Sequence, residues 1–129
     1  MKSFLALFTL TFFCFCTQQE IKDTYKVYKM IITEDGDHIF YIKNEKDVGL
    51  IVMDNDSLII DDSFKKIKTN QEYIFQLEKD KKSFSGQQPS GYMIILNSGK
   101  TQKVWDVVKD GEMPSIYTAK NINGGYIKE

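Results

Sequence analysis

The chain has 129 residues, enough for one domain of ordinary size, and its 17 lysines and 18 acidic residues leave a formal charge of −1. No arginine is present, and arginine is the usual bidentate reader of phosphate and guanine, so the composition argues against nucleic acid as a partner. Neither cysteine lies beyond Cys16, which excludes a disulfide framework, a thiolate metal site and a cysteine nucleophile from the rest of the chain.

The N-terminus has the order of a secretory signal. Lys2 supplies a positive charge, and residues 4–15 ("FLALFTLTFFCF") form an apolar run without a charge. The run is too short for a membrane-spanning helix, which needs about 20 apolar residues. A buried first strand or core helix is the alternative, but no later stretch is comparably apolar. We therefore expect export, with residues 1–16 as signal peptide, residues 17–24 as a short linker and residues 25–129 as a single β domain.

The cysteines at the end of this run allow two cleavage patterns. Signal peptidase prefers small residues at the last and third-last positions before the cut, and Cys16 and Cys14 meet that preference if the mature chain starts at Thr17. The apolar run also ends directly on Cys16, as in a bacterial lipoprotein, although Phe15 and Phe13 depart from the usual lipobox. We favour lipidation of Cys16, which would make the membrane a partner through the lipid anchor. The expected location is the cell envelope, as an outer-membrane lipoprotein or in the periplasm, with secretion as the alternative.

Beyond the signal, turn residues recur at a spacing typical of β-sandwiches and barrels. Segments rich in β-branched and aromatic residues predict strands at Tyr25–Thr33, His38–Lys43, Val48–Met53, Leu58–Ile60, Glu72–Leu77, Tyr92–Asn97, Lys100–Val108 and Ser115–Ala119. The strand at Glu72–Leu77 alternates clearly, so Tyr73, Phe75 and Leu77 are predicted to share one buried face. Gly49 marks either a bulge or a close approach of backbone.

No window sustains the helical period of 3.6 residues, so no helix is predicted beyond a single turn that Asp62 or Ser63 could cap. The predicted fold class is all-β. We expect a small antiparallel barrel, OB-like, or a β-sandwich, with about seven or eight short strands after the signal segment.

The segment "IKTNQEYIFQLEK" (Ile67–Lys79) resembles a strand of small uncharacterised exported proteins and lipoproteins of Bacteroidetes-type bacteria. In those proteins a turn is followed by a Tyr-x-Phe-x-Leu strand, here Tyr73, Phe75 and Leu77. The lipoprotein-like leader, the lysine-rich composition and the closing "IYTAKNINGGYI" are similar to the same group. The resemblance implies an envelope location and a small OB-like barrel or sandwich, and it carries over no active site.

Few side chains in this sequence are suited to proton transfer near neutral pH. His38 is the single histidine, and its position directly after a hairpin turn is more typical of an exposed strand end than of a catalytic base. Ser90 lies in "PSGY", which lacks the Gly-x-Ser-x-Gly elbow of serine hydrolases. A small carboxylate-dependent hydrolase is therefore the last function class that we weigh, and no cofactor is expected.

Four aspartates, Asp54, Asp56, Asp61 and Asp62, lie within nine positions. Oxygen ligands at that density can hold calcium, but the spacing fails the EF-hand pattern because Leu58 occupies the place of the fifth-position ligand. Turn chemistry accounts for aspartates here without a metal. The four residues are therefore only a weak calcium candidate.

An aromatic platform for a sugar or peptide could come from Trp105 and six tyrosines, and Trp105, Tyr92 and Tyr117 are the candidates that we select. The six tyrosines are Tyr25, Tyr28, Tyr41, Tyr92, Tyr117 and Tyr126. Strict alternation puts Lys103 and Trp105 on one face of a strand and Val104 on the other, which leaves open whether Trp105 is core or surface. Most large aromatic side chains of a small domain are core. The predicted function is a non-catalytic binding module for a small ligand or an envelope protein. The alternative is an inhibitor or immunity-type protein that blocks an envelope toxin or hydrolase.

Overall fold

The computed structural model describes residues 20–53, 61–79, 87–88 and 90–129. Within these residues eleven strands and one short helix follow one another. Their bounds are β1 Ile21–Ile32, β2 His38–Lys43, β3 Val48–Met53, β4 Lys65–Lys66, β5 Gln71–Lys79, β6 Gln87–Gln88, β7 Gly91–Ile95, β8 Thr101–Asp106, α1 Val107–Asp110, β9 Ser115–Ala119, β10 Ile122–Asn123 and β11 Tyr126–Ile127. The all-β fold class predicted from the sequence is confirmed.

Five strands close into a barrel in the order β1-β2-β3-β9-β5, and β5 pairs back onto β1. Counted along the chain this order is 1-2-3-5-4, the Greek-key connection of an OB-like barrel. β3 and β9 run parallel, whereas the other pairs in the barrel are antiparallel. Parallel neighbours need a long crossover, and the chain supplies one because β5 and the β7–β8 hairpin lie between β3 and β9.

The strand bounds agree closely with the sequence pattern. β2, β3 and β9 coincide with the predicted strands, and the β7–β8 hairpin lies where two strands flanking "NSG" were predicted. β1 starts at Ile21, earlier than expected, because residues 21–24 of the predicted linker pair with β5. The predicted strand Leu58–Ile60 lies outside the described residues.

The barrel interior is the first of two hydrophobic clusters. On β5, Tyr73, Phe75 and Leu77 are buried in it, as their alternation predicted. The small sheet β10-β11-β4 adds further side chains to the same cluster. Its buried members are Tyr25, Val27, Phe40, Ile42, Ile51, Ile67, Tyr73, Phe75, Leu77, Tyr117, Ala119, Ile122 and Ile127.

The second cluster lies on the outer face of the barrel, where the sheet β6-β7-β8 packs against it. Strand β2 is buried on both faces: Phe40 contributes to the interior, and Tyr41 to the outer cluster. The buried members of the outer cluster are Ile39, Tyr41, Leu50, Tyr92, Val104, Trp105 and Ile116. The tip of the β7–β8 hairpin is joined to the β1–β2 turn by a hydrogen bond of 2.8 Å, which the backbone N–H of Asn97 donates to the Asp35 carboxylate.

The helix α1 was not predicted. It is a single turn that begins after Asp106, whose carboxylate accepts a hydrogen bond from the backbone N–H of Val108 at 2.9 Å. An aspartate at this position stabilises a helix start by occupying an otherwise unpaired donor. Four residues are too few for hydrophobic periodicity to show, and no helix forms at Asp62 or Ser63.

Gly49 marks a close approach between strands β3 and β9, in which the nearest group is the ring of Tyr117. A Cβ at this position would lie 2.7 Å and 2.9 Å from two ring carbons of Tyr117 and 3.3 Å from the carbonyl oxygen of Ser115. Gly91 is similar, since a Cβ there would lie 1.9 Å from the carbonyl oxygen of Trp105. Both glycines let neighbouring strands pack at distances that any side chain would prevent.

We expect Gly49→Ala to lower the free energy of unfolding by about 1–3 kcal/mol, because the added methyl group overlaps the Tyr117 ring. Urea unfolding followed by far-UV circular dichroism measures this change. The matched background is Tyr117→Leu, in which the overlapping ring carbons are absent, so the same glycine substitution should cost much less. Equal costs in the two backgrounds would contradict the overlap as the cause.

Candidate functional site

A β-bulge in β1 builds the candidate site. Val27 pairs with Ile42 and Lys29 pairs with Tyr41, so Tyr28 is an extra residue without a partner across the ladder. Val27 is buried in the barrel interior, whereas Tyr28 packs against the outer cluster and stays partly exposed. Bulges commonly re-aim side chains beside functional sites.

Three rings form a row across the outer face of the barrel. Tyr28 meets Tyr41 edge to face with 6.0 Å between ring centroids, and Tyr41 stacks on Trp105 at 6.1 Å. The Tyr41 hydroxyl donates to the carbonyl of Val104, and the Trp105 Nε1–H donates to the carbonyl of Gly111 at 3.0 Å. Both hydrogen bonds satisfy the polar end of a buried ring. The first joins β2 of the barrel to β8 of the hairpin, and the second joins β8 to the residue that follows α1.

A second bulge, in β8, places Trp105 in this row. Tyr92 pairs with Trp105 and Met93 pairs with Lys103, which leaves Val104 unpaired across the hairpin. Val104 and Trp105 are consequently both buried. The strict alternation that assigned them to opposite faces fails at this bulge.

An open groove of about 420 Å³ lies beside the row of rings. It is lined by Tyr28, Lys43, Val48, Trp105, Asp110, Glu112, Met113 and Pro114, and we call it the Tyr28 groove. Its walls come from β1, β2, β3 and β8 and from α1 and the segment that follows it. The volume is within the range of about 300–1,000 Å³ that ligand sites occupy, and apolar walls with a few charged groups are their usual composition.

Lysines lie over two of the rings. Lys43 Nζ is 5.1 Å from the ring centroid of Tyr28, and Lys29 Nζ is 4.9 Å from that of Tyr41. Both distances are within the limit of about 6 Å for cation–π attraction. The pairs are reciprocal across the β1–β2 ladder, since each strand gives one lysine and one tyrosine.

Two carboxylates complete the charges of the Tyr28 groove. Asp110 accepts a hydrogen bond from the backbone N–H of Asp106 at 2.8 Å. Within residues 20–53, 61–79 and 90–129, neither Asp110 nor Glu112 belongs to an ion pair. Burial first, and the negative charge of Asp110 second, raise the pKa of Tyr28 above its ordinary value and that of Tyr41 to about 12. The field of Asp110 therefore reaches both rings.

A second groove, of about 320 Å³, shares Trp105 and Asp110 with the first. Its remaining walls are Lys29, Ile31, Tyr41, Lys103, Val104, Asp106 and Lys109. Lys103 and Asp106 form an ion pair of 3.7 Å across its surface. This groove is richer in lysine than the Tyr28 groove, and its ring, Tyr41, is buried.

A polar cluster elsewhere, centred on Asp47 in the β2–β3 turn, closes the barrel. The hydroxyls of Tyr117 and Tyr25 donate to Asp47 Oδ2 at 2.5 Å and 3.1 Å, and the Ser115 hydroxyl donates to Oδ1 at 3.3 Å. The backbone N–H of Asp47 donates to Asn44 Oδ1 at 2.8 Å, which fixes the turn. These groups are bound to one another, so we assign the cluster to stability.

Four tyrosine hydroxyls have a pKa raised above the ordinary value of 10.0. Burial is the largest cause of the raised pKa of Tyr25, Tyr28, Tyr41 and Tyr117. The unfolded chain releases these protons near pH 10, whereas the native state retains them. The stabilisation of the native state by these hydroxyls is therefore complete below pH 10 and is lost as the pH rises through the native pKa values. Stability should fall by no more than about 1.4 kcal/mol per pH unit for each tyrosine.

Phenolate absorbance recorded together with near-UV circular dichroism tests this alkaline behaviour. We expect the four tyrosines with raised pKa to ionise only above pH 10, together with the loss of tertiary structure. Ionisation of all seven tyrosines near pH 10 in a protein that stays folded would contradict the burial of these hydroxyls.

The three rings that the sequence analysis selected as ligand contacts are buried. Trp105, Tyr92 and Tyr117 are exposed by 3%, 5% and 2%. Tyr117 lies in the barrel interior and the other two in the outer cluster, so the structure does not bring the three together on one surface. Of the three, Trp105 alone lines the Tyr28 groove, and Tyr28, which was not selected, supplies its accessible ring.

The candidate calcium ligands show turn chemistry where the structure describes them. Asp61 and Asp62 are exposed, and Asp61 accepts hydrogen bonds from the backbone N–H and the hydroxyl of Ser63. Asp54, Asp56 and the proposed lipidation site Cys16 lie outside the described residues. In the part of the chain that is described, no group of three or more His, Cys, Asp or Glu side chains could hold a metal ion.

His38 is less exposed than its place after a turn suggested. Its ring stacks on Phe40 with 6.0 Å between centroids, and its buried Nδ1 has no hydrogen-bond partner among the residues that the structure describes. A Cβ on Gly125 would lie 3.3 Å from its Nε2, so the β10–β11 turn packs against the ring. The surroundings are those of a packed side chain.

No helix in residues 20–53, 61–79 or 90–129 is long and apolar enough to cross a bilayer. Comparisons of the chain with protein-family models, with curated proteins and with solved structures gave no match. The geometry of the molecule and its sequence therefore carry the functional argument.

Proposed function

We propose that this chain is an exported protein of the cell envelope that acts as a non-catalytic binding module, with the Tyr28 groove as its ligand site. The observation that carries the proposal is the groove itself. It is open, its walls are aromatic and aliphatic, and it presents a partly exposed tyrosine ring beside charged side chains that have no ion-pair partner among the described residues.

The position of the groove in the barrel supports a binding role. OB-like barrels bind ligands on the outer face of their second and third strands and on the adjoining loops. Here the β7–β8 hairpin covers much of that face with apolar side chains. The Tyr28 groove takes its walls from both the hairpin and the barrel, through Trp105 on one side and Lys43 and Val48 on the other.

A carboxylate-dependent hydrolase would need two carboxyl groups free to act as acid and base. Asp110 and Glu112 line the same groove, but Asp110 is engaged by the backbone N–H of Asp106 and helps to hold α1. Apart from Lys43, the other residues that line the groove are apolar or aromatic, and none of the lining residues is a histidine. This composition favours binding over catalysis.

Photo-crosslinking in the native host tests the binding role. Benzoylphenylalanine replaces Val48, which lines the groove and is 39% exposed, and in a control it replaces Ile95, which is 76% exposed and does not line it. We expect an adduct from position 48 that is absent from position 95. A protein adduct would favour the inhibitor class over a small-ligand module. The absence of any adduct specific to position 48 would contradict the groove as the site.

The export part of the proposal has its own test. The signal pattern of residues 1–16 and the cysteine that ends it support an envelope location. Intact mass and N-terminal analysis of protein isolated from host membranes should show a chain that starts at an acylated Cys16. An unmodified chain starting at Thr17 would instead favour a diffusible protein, and a chain that retains residues 1–16 would contradict export.

A further inference from the structure

We infer that the Tyr28 groove receives a cationic side chain, a lysine or arginine exposed on a peptide or protein partner. The inference rests on the proposed function, because it names the ligand of the same groove. Three properties of the groove support it: the accessible ring, the balance of charge and the apolar walls.

The ring is arranged to hold a cation. The outer face of β1 and β2 already seats two ammonium groups over tyrosine rings, with Lys43 Nζ 5.1 Å from the Tyr28 centroid and Lys29 Nζ 4.9 Å from the Tyr41 centroid. Lys43, which lies over the Tyr28 ring, is an exposed residue of this same protein. An incoming lysine or arginine would use the same attraction to the face of Tyr28.

The charge of the groove favours a cation. Asp110 and Glu112 line it against the single lysine Lys43, and neither carboxylate has an ion-pair partner within residues 20–53, 61–79 and 90–129. An acidic ligand would be repelled by both carboxylates. A neutral sugar could stack on Tyr28 but would form no ion pair with Asp110 or Glu112.

The apolar walls suit the rest of such a side chain. Val48, Met113 and Pro114 line the groove beside the charged groups. Lysine and arginine bury their methylene stems along apolar surface while the charged head keeps polar contacts. A small inorganic cation would gain nothing from these walls.

Titration with capped tripeptides tests the inference on the folded protein. The probes are acetyl-Gly-Lys-Gly-amide and acetyl-Gly-Arg-Gly-amide, with the norleucine and glutamate tripeptides and a neutral chitotriose as comparisons. The reporter is the indole N–H resonance of Trp105, the single tryptophan, which lines the groove and donates to Gly111. We expect saturable shifts with the lysine and arginine peptides that weaken as salt is added, and much smaller shifts with the others.

Two substitutions sharpen the test in opposite directions. Glu112→Gln should weaken binding of the lysine peptide about two- to fivefold, the range expected for one exposed ion pair. Lys43→Gln should strengthen it by a similar factor, because it removes the chain's own competing cation from Tyr28. Glu34→Gln, an equal change of charge in the β1–β2 turn, is the control and should leave the affinity unchanged.

The outcomes separate this inference from the proposed function. If the norleucine peptide or chitotriose binds as well as the lysine peptide, or if Glu112→Gln has no effect, the groove is a binding site for another ligand and the cationic assignment is overturned. If no probe moves the Trp105 resonance, the cationic assignment also fails, and an adduct at position 48 in the crosslinking experiment decides whether the binding role survives.

Discussion

Trp105→Ala is expected to lower the free energy of unfolding by about 3–5 kcal/mol, the usual cost of truncating a large buried aromatic side chain. Trp105 is 3% exposed, stacks on Tyr41 and donates to the Gly111 carbonyl. Its removal would leave a cavity between the β7–β8 hairpin and the barrel and would take away a hydrogen bond that holds the end of α1. Urea unfolding followed by far-UV circular dichroism measures the effect without using the tryptophan signal.

Trp105→Phe is the matched control for this experiment. It keeps an aromatic ring between the hairpin and Tyr41 but loses the hydrogen bond to Gly111, so the cost should be clearly smaller than that of alanine. If Trp105→Ala left stability within about 0.5 kcal/mol of the parent, as substitutions at exposed positions do, the packing of the hairpin on the barrel would be contradicted.

The bulges explain why the fold was easier to predict than the groove. β5 alternates regularly, and the predicted burial of Tyr73, Phe75 and Leu77 is confirmed. At Tyr28 and Val104 an extra residue shifts the alternation, and nothing in the residue types at these positions distinguishes a bulged strand from a regular one. The sequence pattern therefore does not tell which face of the sheet the residues on either side of a bulge occupy.

The Tyr28 groove depends on contacts between segments far apart in the chain. Tyr28 and Trp105 belong to β1 and β8, and only the packing of the hairpin on the barrel brings them together. The composition indicated that aromatic rings could form a ligand site, but it did not indicate which rings contact one another. The bulge in β1 shows in the numbering of its inward-facing residues, which changes from the odd positions Tyr25 and Val27 to the even position Met30.

Asp47→Ala is the second substitution with a large expected effect, about 3 kcal/mol of lost stability. Asp47 accepts hydrogen bonds from the hydroxyls of Tyr25 and Tyr117, whose side chains are 3% and 2% exposed. Alanine would leave both hydroxyls without this acceptor, and an orphaned buried donor costs about 1–3 kcal/mol. The β2–β3 turn would also lose its link to Ser115 on β9.

A double-mutant cycle shows whether the hydroxyls cause this loss. Tyr117→Phe removes one donor and the need for its acceptor, so Asp47→Ala should cost less in that background than in the parent chain. Asp47→Asn keeps an acceptor oxygen and should fall between the parent and alanine. Strictly additive costs would mean that Asp47 acts through the turn alone. A smaller cost in the Tyr117→Phe background would show that one carboxylate joins β1, β9 and the β2–β3 turn at the same point, so that this closure of the barrel is a single cooperative unit.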